Sequence, residues 1–225
     1  MAKNDFSAET ATNYEQKCLC VLVLDVSGSM YGTRISELNR GLQEFYKEIT
    51  DDESTSQKLE VSLVTFNHLV RTAQEPALVE NFTMPTLKAD GSTALVNAVN
   101  EAIDKVAARK QWYKDSGQNY YRPWIILMTD GEPDDDQDVN SLANRIKDDT
   151  NAKRYAFLPI GVDGANMSML DKIKGDIPPM HLQGAKFSQF FKWLSASMGT
   201  VVNHEEGEKV DLTKGAGDWM SIFDI

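Results

Sequence analysis

Cys18-Leu19-Cys20-Val21-Leu22-Val23-Leu24-Asp25-Val26-Ser27-Gly28-Ser29-Met30 is an apolar run of strand length that ends on a carboxylate and passes into alternating hydroxyls and a glycine. An unbroken apolar run bounded by turn residues reads as a strand buried on both faces, the form that strands of a parallel sheet take. Ligands of such sheets sit at the carboxyl ends of the strands. Asp25, Ser27 and Ser29 are therefore expected on a loop at the functional edge. Hard oxygen donors so closely spaced suit Mg²⁺ or Mn²⁺. Taken alone, the motif is equally compatible with a turn or a helix cap.

A second stretch resolves that ambiguity. Pro123-Trp124-Ile125-Ile126-Leu127-Met128-Thr129-Asp130-Gly131 repeats the theme of a buried strand closing on a carboxylate and a glycine. Two such strands in one parallel sheet bring Asp25 and Asp130 to the same edge. Neighbouring carboxylates repel unless a proton or a cation lies between them, and a divalent cation relieves both. A third stretch, Asp90-Gly91-Ser92-Thr93-Ala94-Leu95, precedes the apolar face Leu95, Ala98, Val99, Ala102, Ile103 and Val106 of a helix. Either Ser92 or Thr93 opens that helix, and the Thr93 hydroxyl is a candidate for the same site.

The remaining chain reads as alternating strands and helices. Ile35, Leu38, Leu42, Phe45 and Ile49 recur at helical spacing, and Asp51-Asp52-Glu53 is expected to close that helix into a polar loop. Lys58–Phe66 is a strand, paired with Leu69–Thr72 across a turn at Asn67-His68, and residues 74–90 are expected to form a long connection. Residues 109–123 interleave Arg109, Lys110, Trp112, Tyr113, Tyr120 and Tyr121, read as a packed helix end rather than a base-stacking surface. Asp136 or Asp138 caps the helix of Val139, Leu142 and Ile146. Tyr155–Val162 is a strand whose Pro159 suggests an edge or an irregularity. A short helix (166–173), a short strand (179–182, with a structural His181) and an amphipathic helix carrying Phe187, Phe190, Phe191, Leu194 and Met198 complete the pattern.

The chain of 225 residues is long enough for one substantial core, with 41% hydrophobic and 25% charged residues. A net charge of -11 argues against nucleic-acid and anionic-membrane partners, since no basic excess exists to displace counterions. Residues 1–17 contain no apolar segment of signal-peptide kind, and no run approaches the ~20 apolar residues of a membrane span. Cys18 and Cys20 point to one strand face and are expected to be reduced core residues. These features predict a cytoplasmic protein. Its expected division is a mobile arm at 1–16, one domain at 17–200 and an acidic tail at 201–225. The tail reads as a docking peptide or as a segment folding back on the domain. In the first form, Asp218, Asp224 or the terminal carboxylate of Ile225 would visit the cation of a neighbouring copy.

Three separated motifs in order make the chain resemble a von Willebrand factor type A domain over roughly residues 17–200. Asp25-Val26-Ser27-Gly28-Ser29 matches that family's Asp-x-Ser-x-Ser motif, Thr93 its second-loop threonine, and Asp130 its third-loop aspartate. The resemblance implies a doubly wound, Rossmann-like α/β fold: about six strands, mostly parallel with one antiparallel edge strand, and helices on both faces. It also implies a metal-ion-dependent adhesion site in which Asp25, Ser27, Ser29, Thr93 and Asp130 hold Mg²⁺ or Mn²⁺ directly or through water. Such a site binds a carboxylate presented by another protein. Arg34-Ile35-Ser36-Glu37-Leu38-Asn39 and Tyr121-Arg122-Pro123-Trp124-Ile125 are similar to the bacterial branch associated with tellurium resistance (TerY-type). That branch is cytosolic and accompanies a PP2C-type phosphatase and a protein kinase.

Competing readings are a metal-dependent phosphoester hydrolase and an exported adhesin. Asp25 is followed by Val-Ser rather than by the second aspartate of an Asp-x-Asp nucleophile, and neither a Gly-x-Ser-x-Gly elbow nor a phosphate-loop lysine motif occurs. The expected role is recognition rather than catalysis.

Overall fold

Apolar continuity translates directly into strands in the computed structural model, which describes residues 4–11, 13–130, 132–134, 137–203 and 220–222. The fully buried strands are β1 (Cys18–Asp25), β2 (Leu59–Phe66), β4 (Trp124–Thr129) and β5 (Ala156–Val162). Between them in sequence lies β3 (Val70–Leu78), half-buried with an alternating pattern over its first residues. The short β6 (Met180–Leu182) and β7 (Met220–Ile222) follow. The sheet has the order β3-β2-β1-β4-β5-β6-β7. β2, β1, β4, β5 and β6 run parallel, while β3 and β7 pair antiparallel at opposite edges. The doubly wound, mostly parallel fold is thus as expected. The tail contributes the seventh strand through residues 220–222, so this part of it folds back on the domain. Asp218, Asp224 and Ile225 lie outside the described residues.

Among the described residues, six α-helices surround the sheet: α1 (Thr33–Asp51), α2 (Glu53–Ser56), α3 (Leu95–Asp115), α4 (Val139–Asn151), α5 (Met167–Lys172) and α6 (Phe187–Asn203). Alternate residues of β1 divide between two cores, as the pleat requires. Cys18, Cys20, Leu22 and Leu24 face Leu38, Leu42 and Phe45 of α1 and Phe187, Phe191 and Leu194 of α6. Leu19, Val21 and Val23 face Ala98, Val99 and Ala102 of α3, Leu142 and Ile146 of α4, and Leu170 of α5. Each such Leu or Val contributes about 1.5–3 kcal/mol by leaving water. Helices α1 and α6 meet closely because position 41 is glycine: a Cβ there would lie 2.7 Å from the Phe191 ring and 3.0 Å from the Phe187 backbone. Both cysteines are free and buried, and burial pushes the Cys18 thiol up to about 12.

Several expectations need correction. Strand β3 continues to Leu78 instead of giving way to a connection at residue 74, because a register irregularity opposite Ser62 accommodates Glu75 and Pro76. Pro159 lies in an interior strand, paired with Leu127 of β4. The irregularity it signals comes from β6, which pairs only with Ile160–Val162 and leaves the Pro159 flank of β5 uncovered. Asp52 does not merely end a loop: its carboxylate accepts from Ser54 N at 3.1 Å and Thr55 N at 3.3 Å, capping α2.

Residues 4–11, expected as a mobile arm, are instead seated on α3. Phe6 is buried, Glu9 accepts from Arg109 Nη1 at 2.5 Å, and Asn4 accepts from Lys105 Nζ at 2.7 Å. Their polar sequence has no periodicity because they dock individually on a helix rather than forming an element of their own.

Candidate functional site

The strand order reverses direction about β1 and β4, and the crevice at such a switch point is where open α/β sheets bind ligands. Both strands end there on the expected aspartates. Asp25 is the last residue of β1 and is fully buried. Its Oδ1 accepts from Ser27 N at 2.8 Å, and its Oδ2 accepts from the Thr129 hydroxyl at 2.5 Å. From Ser27 the contacts continue along a row of oxygens. Ser27 Oγ and Ser29 Oγ are 3.0 Å apart, and Ser29 Oγ donates to Asp130 Oδ1 at 2.6 Å. Asp25, Ser27, Ser29 and Asp130 thus form one cluster.

Thr93 reaches this edge through its loop rather than by direct contact with the other four. Asp90 N donates to Val26 O at 2.9 Å, and Gly28 N donates to Gly91 O at 2.9 Å, lacing the two loops together. Gly91 has a φ of +74°, which demands glycine, and a Cβ there would also press on the His68 ring. Neither Ser92 nor Thr93 caps α3. The Gln137 side chain does so, accepting from Val96 N at 2.7 Å and donating to Thr93 O at 2.7 Å. Ser92 Oγ donates to Asp134 Oδ2 at 3.0 Å. Thr93 itself is buried. Asp138 caps α4 as expected, accepting from Ser141 N at 2.9 Å, while Asp135 and Asp136 lie outside the described residues.

Three residues of the site stand outside the sequence motifs: Thr129 as an orienting hydroxyl, Gln137 and Arg34. Arg34 is the most consequential. Its Nη1 donates to Asp130 Oδ2 and, at 3.0 Å, to Ser29 O, and its Nη2 donates to Asp163 O at 3.0 Å. A cation in the first turn of a helix opposes the helix dipole, and that misplacement was the available clue to a specific partner. The remaining described histidines stay at the margin. His68 packs against Gly91, and His181 Nε2 lies 3.6 Å from Asp163 Oδ1. His204 lies outside the described residues.

The electrostatics are unbalanced. Burial pushes the Asp25 carboxyl up to about 6, the hydrogen bonds from Ser27 and Thr129 oppose this, and the charge of Asp130 adds to it. One guanidinium stands against two buried carboxylates. Among the described residues no three His, Cys, Asp or Glu side chains group closely enough to hold a metal. A cation here would therefore rely on the serine and threonine hydroxyls together with the two aspartates. That all-oxygen donor set, with negative charge left over, fits a small hard divalent ion.

Among curated proteins, none matches this chain. Solved structures share its fold at low identity. The vWF domain of the type V pili tip protein Mfa5 from Porphyromonas gingivalis aligns with a TM-score of 0.63 and 12% identity, over 86% of this chain and 99% of that one. The pilus adhesin SpaC from Lactobacillus rhamnosus GG aligns with a TM-score of 0.65 and 13% identity, over 84% of this chain and 30% of that one. The ArnB paralog VWA2 from Sulfolobus acidocaldarius aligns with a TM-score of 0.54 and 19% identity, over 81% of this chain, which spans only 45% of that protein. A family model for the von Willebrand factor type A domain matches residues 20–189. With that match over most of its length, and with the sheet order and paired strand-end aspartates described above, the chain belongs to the von Willebrand factor type A domain family.

Proposed function

We propose that this chain is a protein-recognition module that binds an Asp or Glu side chain of a partner through a divalent cation, Mg²⁺ or alternatively Mn²⁺. Asp25, Ser27, Ser29, Thr93 and Asp130 would hold the ion. When bound, it supplies an electrophilic centre for a carboxylate oxygen. The observation that carries the reading is the row from Asp25 through Ser27 and Ser29 to Asp130, two buried carboxylates whose charge Arg34 only half offsets. Domains of this family generally mediate protein–protein interaction, which supports a binding role over a catalytic one.

The residues of the chain divide the work. The Thr129 hydroxyl and Ser27 N orient the Asp25 carboxylate, and Ser29 Oγ orients that of Asp130. Lacing of the Gly28 and Gly91 loops sets Thr93 at the same edge. The finer assignment rests on the Arg34–Asn39 and Tyr121–Ile125 stretches. It makes the protein a cytoplasmic scaffold of a bacterial tellurium-resistance-type stress system, with a PP2C-type phosphatase and a protein kinase as partners. The pilus proteins share the fold at 12 and 13% identity, which does not assign this chain to a cell surface.

The test is affinity capture from native lysate with the purified chain in Mg²⁺, in EDTA, and with Asp25→Ala in Mg²⁺. A phosphatase or kinase retained only by the wild type with metal is the expected result. Equal recovery in all three samples would remove the metal site from recognition. Turnover of a generic phosphoester lost with Asp25→Ala would favour a hydrolase instead.

A further inference from the structure

Arg34 has no counterpart in the ligand set, yet it contacts two of its members. Through one terminal nitrogen it binds the Asp130 carboxylate and the Ser29 carbonyl, and through the other the Asp163 carbonyl. One guanidinium thereby joins the segments that follow β1, β4 and β5. Asp130 divides its oxygens between two claims: Oδ1 takes the Ser29 hydroxyl and belongs to the oxygen row, while Oδ2 faces Arg34. The Asp130 side chain has 0% exposure and that of Arg34 34%, so the pair is poorly screened on one side and open to solvent on the other.

We propose that Arg34 sets the charge of this site: as the fixed counter-ion of Asp130 it weakens the hold on a divalent cation, and it leaves the loaded site net positive, which selects an acidic ligand. This inference rests on the metal-binding reading above. Asp25 and Asp130 alone would neutralise a divalent ion. With Arg34 the metal-free site carries one negative charge and the loaded site one positive charge. A guanidinium across a single buried carboxylate repels the ion with little screening by salt.

An opposing effect has to be weighed. Arg34 also ties loops together, and losing a tie could spoil the site. The loops keep other ties that do not involve it: Gly28 N to Gly91 O at 2.9 Å, Asp90 N to Val26 O at 2.9 Å, Thr129 Oγ1 to Asp25 at 2.5 Å and Ser29 Oγ to Asp130 at 2.6 Å. Removal of a full charge beside the ion therefore outweighs the loss of preorganisation.

The experiment is calorimetric titration of the metal-free full chain with Mg²⁺ and with Mn²⁺ at neutral pH, for wild type, Arg34→Gln, Arg34→Met and Arg34→Lys. Circular dichroism in EDTA confirms folding. Arg34→Met retains the apolar stem and serves if Arg34→Gln fails to fold. Either neutral variant is expected to bind metal at least about tenfold tighter, equivalent to about 1.4 kcal/mol. Arg34→Lys, with its charge retained, stays near wild type. In EDTA the neutral variants melt lower than wild type, and saturating Mg²⁺ narrows the gap. Unchanged or weaker metal binding by the neutral variants, with wild type binding, overturns the inference and leaves Arg34 a loop tie. If no variant and no wild type binds either ion while folded, the metal-binding reading fails and this inference with it.

Discussion

Two of the regions where this molecule buries charge treat it in opposite ways. Between β2 and α3, the Glu60 carboxylate of β2 is satisfied by side chains of α3. Arg109 Nε and Nη2 each donate to it at 2.8 Å, and Tyr113 O–H donates at 2.7 Å. Burial works against the Arg109 charge, but Glu60 and Glu9 outweigh it and raise the guanidinium above its ordinary pKa. Phe6 and Trp112 stack on the same guanidinium, at 5.0 and 4.1 Å from its carbon to the ring centres. At the carboxyl edge of the sheet, Asp25 has no cationic partner among the described residues, and burial drives it towards protonation. A balanced cluster holds the fold together. A cluster left short of positive charge is what the proposed cation site requires.

The largest expected effect belongs to the balanced region. Arg109→Met leaves Glu60 buried without its ion pair and should cost about 3–5 kcal/mol in urea denaturation. Its affinity for Mg²⁺ should stay that of wild type. A loss under about 1 kcal/mol would mean that water reaches Glu60 and that the two regions differ less than their geometry suggests.

Asp25→Asn should act in the opposite direction. The Asp25 pKa of about 6 in the fold exceeds the unfolded value of about 3.9, so the folded chain holds this proton more tightly. The resulting stability is complete below the unfolded value and is lost as pH rises through about 6, a span of about 3 kcal/mol. In EDTA, wild type should therefore fall relative to Asp25→Asn as pH rises from 4 to 7, by an amount of the order of 1–3 kcal/mol. Denaturation at several pH values reads that difference directly. If the proposed site holds Mg²⁺, the ion needs the ionised carboxylate, so its stabilisation of wild type should fade as pH drops through about 6 and be absent in Asp25→Asn. A flat difference across that range would contradict the burial account of Asp25.

Smaller effects sharpen the role of the arm. Phe6→Ala should cost about 2 kcal/mol through lost apolar burial, measured by thermal or urea unfolding, with metal binding untouched. Glu9→Gln removes a pair whose acid side chain is 44% exposed, and its cost should stay below about 1 kcal/mol. A larger loss for Glu9→Gln than for Phe6→Ala would show that charge rather than packing seats the arm.

The legibility of these regions in the sequence follows the range of their interactions. Asp25 and Asp130 stand out because each closes an unbroken apolar strand, and parallel strands in one sheet must bring their carboxyl ends together. Ser27 and Ser29 are legible because they share the Asp25 loop. Arg34 is legible only as a cation set against the dipole at a helix start; which carboxylate it meets is not, because that partner is 96 positions away. Gln137 capping α3 fails for the same reason, with its Val96 partner 41 positions away. Phe6 sits in a polar stretch with no periodicity, so its burial depends on the surface that α3 offers.

The sequence by itself determined the alternation of strands and helices, the parallel sheet, the oxygen-rich loops and the family, because hydrophobic periodicity and turn chemistry act over a few residues. Tertiary structure alone decided that β3 runs on past Pro76, that Pro159 lies inside the sheet, that residues 4–11 cover α3 and that residues 220–222 close the far edge. It also decided that one arginine stands against two aspartates. These outcomes depend on which surfaces and charges meet after the chain has folded. Local propensity is silent about such meetings, since their energy comes from desolvation and Coulomb terms between residues distant in sequence.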